Sequence, residues 1–239
     1  MNVLKCQVFM SQEKQITKQH LGSMESRYRA RFINSLTGFK SANLVGTVDQ
    51  QGNPNLAIVS SVVHIGSNPP LIGFINRPNS VERHTLENIL ATKSFTLNSI
   101  DEDIAALAHQ TSARYPKNQS EFQAVGLTPY TDNDFIAPFV LESGLKIALT
   151  LKEHHIIKAN DTELIIGEVE QVRVPSDAIQ PDGYLDVESM DLVTISGLDS
   201  YHVTQRLYRL DYAKPDKALE PLSVSGEKTE WKVNQSTMD

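Results

Sequence analysis

The sequence holds a single cysteine, Cys6, so no internal disulfide can form and a reducing compartment is the simpler home. Apolar runs of bilayer-spanning length are missing. The opening MNVLKCQVFM is too short for a secretory core and leads into SQEKQ without a small-residue cleavage pattern. A cytoplasmic protein with no membrane partner is expected. Positive charge is in the minority, with 22 Lys and Arg against 29 Asp and Glu and a net charge of −7. That balance excludes a general nucleic-acid binder and requires any cationic site to be local. Glycines at dinucleotide or Walker spacing are lacking, since Gly144 and Gly197 stand alone. Cysteine partners for His154 and His155 are lacking too, and neighbours on a strand point to opposite faces, so no metal site is expected.

What is present is apolar content of 40% in 239 residues, enough for one domain with appended segments. Tyr28, Phe32, Ile33 and Leu36 recur at helical spacing among arginines, which predicts a surface helix from Glu25 to Leu36 stopped by Gly38. ANLVGTVD reads as a strand, followed by a turn at Gln51-Gly52-Asn53. NLAIVSSVVHI, rich in β-branched residues, then reads as one nearly continuous strand. His64 near its end reads as a core residue or a ligand. Asn68-Pro69-Pro70 makes a turn, LIGFINR a strand, Thr85 to Ala91 a short helix and SFTLNSI another strand. Asp101 to Thr111 and Ser120 to Val125 read as helices, and LKIALTLKEHHII with TELIIGEVEQVRV as a long hairpin. From Ala218 onward the composition suggests a mobile tail that Trp231 could pin. Strands joined by tight turns, with helices inserted irregularly, predict a mainly β protein with peripheral helices, built as a barrel.

The stretch Asn55 to Ile100 carries the chemistry. Thr85 is a helix N-cap candidate with Arg83 and His84 just before it, and Arg77 closes the preceding strand. Ser60 and Ser61 add hydroxyls. Helix starts with hydroxyls and cations nearby suit a phosphate-bearing ligand. A plainer account fits these residues as well: Thr85 only caps, Arg83 is solvated and the serines satisfy a strand edge. His109 to Tyr115, at a helix end, could reach a ligand, or His109 could simply answer the helix dipole. Tyr201, Tyr208 and Tyr212 read as packing or dimer contacts.

The order Asn55, Ala57, Ser60-Ser61, Pro69-Pro70, Thr85, Asn88-Ile89 and Asn98 resembles the flavin reductase-like, FMN-binding split-barrel family. Gly167-Glu168-Val169 and GLDSYHVTQRLYRLDYAKP extend the resemblance from about Arg27 to Pro215. The resemblance implies an antiparallel, Greek-key type split barrel over 25–215, flanked by segments 1–24 and 216–239. It implies a homodimer that binds FMN. Carried over, Ser60, Ser61, Arg83, His84 and Thr85 would surround the phosphate, with Arg77 and Asn88 in support. Asn55, Ala57 and Val59 would offer backbone groups to the ring edge, and Asn98 and Ser99 would line the ring or close the interface. Chemistry would rest with the flavin, reduced by NADH or NADPH and passing electrons to free flavin, oxygen or a partner monooxygenase. No catalytic side chain is assigned. Such reductases often place Asp-His-Thr before the Gly-Glu-Val strand; here Thr162 stands where that His would be. This keeps open an FMN-binding carrier, sensor or electron relay without NAD(P)H turnover.

Overall fold

Glu25 accepts the Tyr28 amide at 2.9 Å and so starts the arginine-bearing helix seen in the computed structural model, which describes residues 13–78 and 84–231. Cys6 and Arg83 lie outside the described residues. Helix α1 (Lys18–Ser23) comes first, and the capped helix is α2 (Ser26–Ser35); α2 buries no side chain. The chain then enters the strands β1 (Lys40–Ser41), β2 (Asn43–Val48), β3 (Pro54–Val59), β4 (Val63–Ser67) and β5 (Pro70–Asn76). Helix α3 (His84–Thr92), strand β6 (Ser94–Ser99) and helices α4 (Ala105–Gln110) and α5 (Glu121–Val125) follow. The remaining ladders are β7 (Pro129–Asp132) with β8 (Phe135–Val140), and β9 (Lys146–Ile157) with β10 (Thr162–Arg173). Last come β11 (Val193–Ser196) with β12 (Ser200–Val203), and β13 (Arg209–Leu210) with β14 (Pro221–Leu222).

The main sheet is antiparallel with seven strands in the order β3-β2-β6-β9-β10-β5-β4. One expectation is corrected here: NLAIVSSVVHI is two strands, β3 and β4, at opposite ends of that order. Val59 and Val63 are four Cα steps apart, a reach of at most ~15 Å. The sheet must therefore curl until its two edges meet, which makes a barrel with a split. Ser61 fastens the split, donating to the Ile75 carbonyl at 3.1 Å and accepting the Ile75 amide at 3.0 Å. His64, read as a core residue or a ligand, is exposed on edge strand β4 and so is not a core residue.

Consecutive strand residues face opposite ways, so Leu44 and Val45 of β2 enter two different cores. Leu44 packs with Leu56, Ile100, Phe122 and Val140 under α4 and α5. Val45 packs with Phe74, Phe95, Leu149 and Ile165. Phe74 and Phe95 meet edge to face at 5.7 Å. The glycine of the Gly-Glu-Val strand is explained by this core: a Cβ on Gly167 would stand 2.6 Å from Phe95 Cζ and 2.9 Å from Leu149 Cβ.

Residues 218–231 are held, and Trp231 takes part in pinning them, as the sequence allowed. β14 pairs with β13, and Trp231 packs edge-on to Tyr208 at 5.7 Å. The segment is buckled to the loop around Tyr184: Arg209 lies 4.1 Å and Arg206 5.7 Å from that ring. Arg209 also pairs with Asp182 at 2.5 Å, and Arg206 with Asp186 and, at 3.2 Å, with Glu188.

Candidate functional site

Beside the split lies a cleft of about 550 Å³, in the size range of small-molecule sites. Strand β3 forms one wall, and β5 with the first turn of α3 adds Phe74, Arg77, His84 and Thr85. His109, residues 111–115, Glu121, Leu198 and Tyr201 also line it.

β3 ends the sheet order, so its outer main-chain groups have no strand partner. Leu56 N–H points outward, donating to Glu121 Oε2 at 3.1 Å. Alternation in an antiparallel ladder puts the N–H and C=O of Ile58 on the same outer side, and turns those of Asn55, Ala57 and Val59 toward β2. The ring-edge expectation is corrected accordingly. Ala57 and Val59 do line the cleft, but Ile58 is the residue whose backbone can meet a ligand edge.

The side chain of Asn55 works instead through a buried network. Its Nδ2 donates to Thr85 Oγ1 at 3.0 Å and Thr47 Oγ1 at 3.2 Å, and Asn88 Nδ2 donates to the same Thr47 oxygen at 3.2 Å. This ties the start of α3 to β3 and β2. Thr85 stands in the first helical turn, one residue past the helix start at His84, rather than at the cap position. Its hydroxyl accepts from Asn55, which leaves its one proton to donate into the cleft. Asn88 does not line this cleft; it borders a neighbouring cavity of about 520 Å³ that shares Asn55, His84 and Glu121 with it.

The paired serines divide. Ser61 lines the cleft, but its hydroxyl proton is committed to Ile75. Ser60 has no hydrogen-bond partner among the described residues and can donate. Arg77 and Arg114 border the cleft without an ion pair among the described residues, so positive charge is concentrated locally in an acidic chain.

Asn98 and Ser99 are corrections. They are 0% and 4% exposed and lie away from the cleft. Asn98 donates to Leu44 O at 3.2 Å and accepts the Val140 amide at 2.9 Å. Ser99 accepts the Leu145 amide at 3.0 Å. Both stitch strands together. Thr162 sits at the β9–β10 hairpin, donating to Asn160 Oδ1 at 2.8 Å, and is not part of the cleft wall.

Glu121, which no sequence signal had marked, lines the cleft at 8% exposure. Burial pushes its carboxyl above the ordinary 4.5, against the opposing pull of the Leu56 amide, its own amide and His84. Tyr201, expected to serve packing or a dimer contact, meets His109 in the wall, phenol oxygen to Nδ1 at 3.1 Å.

The pattern of the family described as "Flavin reductase like domain" matches residues 36–190. The chain belongs to that family. A crystal structure from Shewanella frigidimarina NCIMB 400, described as a candidate flavin reductase with a split barrel domain, is similar at 53% identity and TM-score 0.81. It covers 84% of this chain and 100% of its own. The nitrilotriacetate monooxygenase component B from Bacillus cereus shares the fold, with TM-score 0.73 at 20% identity over 84% of this chain and 100% of that one. An uncharacterized protein of Aquifex aeolicus (strain VF5) is 29% identical over 132 residues, 54% of this chain. The match spans 66% of that relative's length.

The flavin reductase-like family implies a flavin, and the residues present suit one. A flat ring needs donors and acceptors along an edge, which the outward Ile58 backbone supplies. A phosphate needs hydroxyl protons and cations, which Ser60, Thr85 and Arg77 supply. When bound, a flavin supplies the electron transfer, and the protein supplies position and hydrogen bonds. Arg206 and Arg209, committed to Tyr184 and its acidic neighbours, form no second anion site here. Among the described residues no helix is long and apolar enough to cross a membrane.

Proposed function

We propose that this chain is an FMN-dependent oxidoreductase that accepts hydride from NADH or NADPH and hands the electrons on, a partner monooxygenase being one destination. The observation that carries this reading is one cleft that shares an open strand edge at Ile58, the Ser60 and Thr85 hydroxyls and the Arg77 side chain. In this reading the phosphate of FMN would take hydroxyl protons and the Arg77 charge, with His84 in the same cleft, and the ring would lie along β3. Exposed Val63 and Ile65 on edge strand β4 provide apolar surface for a second copy, in keeping with a homodimer.

The test is titration of the purified chain with FMN and with FAD, followed by quenching of flavin fluorescence. Tight FMN binding supports the reading; a chain that takes up neither flavin overturns it. Anaerobic addition of NADH and of NADPH then separates a reductase from a flavin-binding carrier, sensor or relay, because only a reductase bleaches the bound flavin rapidly. The passive reading draws on Thr162, which stands in the place of a histidine common in related reductases.

A further inference from the structure

We propose that the cavity beside the flavin cleft is a second ligand site, and that it takes a neutral polyhydroxylated compound, a sugar or sugar alcohol. The site stands on its own residues and goes beyond the flavin reading.

The cavity, of about 520 Å³, is bordered by the β2–β3 turn, the start of α3 and residues 117–123. Three of its lining side chains, Asn55, Asn88 and Glu121, are 8%, 7% and 8% exposed. Polar groups buried this far are normally met by a partner. Part of that need is met internally. Asn88 spends one amide N–H on Thr47 at 3.2 Å, and Asn55 spends both of its own on Thr85 and Thr47. Their carbonyl oxygens and the second N–H of Asn88 have no partner among the described residues.

Ser120 carries the same signal further. It stands just before α5, where a serine ordinarily caps the helix, yet it makes no cap bond. Its Oγ is buried without a hydrogen-bond partner among the described residues. Ser120 borders the cavity, and rotation about one side-chain bond re-aims the hydroxyl. The rim above is made of exposed carboxamides: Asn53, Asn118, Gln119 and Gln123.

Charge at this border is already matched. Lys117 pairs with Glu87 at 3.6 Å. The Asp49 carboxylate accepts from Gln51 N at 2.9 Å, and from Asn53 N and Nδ2 at 2.8 Å each. Burial raises the Glu121 carboxyl and favours its neutral form, and His84 interacts with it in the wall shared with the flavin cleft. Neither an anion nor a cation therefore finds a free counter-charge. The phenyl ring in the lining, Phe122, is 1% exposed and offers no face for stacking. Leu127 is 4% exposed, which leaves Pro54 and Pro129 as the apolar surface. Hydroxyl groups fit what remains. Each O–H both donates and accepts, so a run of them can give protons to the buried carbonyl oxygens and take protons from Ser120 and the rim carboxamides.

The test follows side-chain and backbone amide resonances of the ¹⁵N-labelled full chain during titration with D-ribose, D-glucose and D-mannitol. At least one of the three should move the Asn118, Gln119 and Gln123 carboxamides saturably, with the Ile58 and Ser60 amides of the flavin cleft staying in place. Gln123 is exposed, so Gln123→Leu should fold, and it should weaken that compound's binding about fivefold, the scale of one net hydrogen bond. Ser120→Ala should weaken it by a similar factor. Inorganic phosphate, spermidine and benzamide represent the anionic, cationic and aromatic alternatives and should leave the three carboxamides unmoved. The proposal is overturned if no hydroxylated compound moves them, if one of the other probes moves them instead, or if both variants bind as the wild type does. Shifts confined to Ile58 and Ser60 would put the compound in the flavin cleft and overturn it equally. Failure of the chain to bind FMN is a separate result and counts against the flavin reading alone.

Discussion

The carboxamide of Asn55 donates to the Thr85 hydroxyl at 3.0 Å, joining the open edge strand to the first turn of α3 in the wall of the cleft. The same nitrogen reaches Thr47, so one side chain fixes the start of α3 against β3 and β2. Asn55→Leu should cost about 1–3 kcal/mol of stability, because the Thr85 hydroxyl loses its donor and Thr47 is left with that of Asn88 alone. It should also weaken FMN binding. Urea denaturation and flavin titration measure the two effects, and a variant altered in neither would remove Asn55 from this role.

Ser60 and Ser61 should separate cleanly. Ser61→Ala removes the clasp on Ile75 and should destabilise the fold by about 1–3 kcal/mol. Ser60→Ala should leave the denaturation midpoint in place and weaken FMN binding by about 1 kcal/mol, the scale of one net hydrogen bond. The reverse pattern would mean that the phosphate selects the other serine.

Glu121 sets a pH dependence with a defined sign. Its carboxyl is raised in the folded chain, so the native state holds that proton more tightly than the unfolded state does. The stability it contributes is fully present below about 4.5 and is lost as pH rises through the raised folded value. Glu121→Gln keeps an oxygen for the Leu56 amide and cannot ionise. Thermal melts from pH 4 to pH 8 (roughly the span of carboxylate titration) should show the variant gaining on the wild type as pH rises. A constant difference would show that Glu121 does not titrate there.

Gly167 leaves no room for a methyl group beside Phe95 and Leu149. Gly167→Ala should destabilise the barrel by about 1–3 kcal/mol, the scale of overpacking a filled core. A shift of the guanidinium midpoint with an unchanged slope is the expected readout, and an unshifted midpoint would contradict the packing.

The barrel was legible because its strands carry local signals: the β-branched runs, the Gly52 turn and the Pro69-Pro70 corner. The break within NLAIVSSVVHI was not, since β-branched residues continue on both sides of the serines. What bends the chain there is a clasp to Ile75, 14 residues on. Pro129 and Pro138 likewise masked the β7–β8 hairpin, whose Pro138 carbonyl accepts from buried Thr96. Asn55, Ser60 and Thr85 could be picked out because hydroxyls and amides cluster along one short stretch. Glu121 could not, because its contact with Leu56 spans 65 residues and nothing near it in sequence points there. Tyr201 escaped for the same reason. Asn98 illustrates the converse error, a polar residue in a suggestive order whose hydrogen bonds all serve the sheet.

The Tyr184 buckle has a consequence for how the molecule comes apart. Its strength comes from guanidinium groups facing carboxylates and one aromatic face, interactions that dissolved ions weaken, whereas the barrel rests on apolar burial that salt leaves intact. In concentrated sodium chloride the C-terminal arm should therefore peel away and become open to proteases while the strands behind it keep their shape.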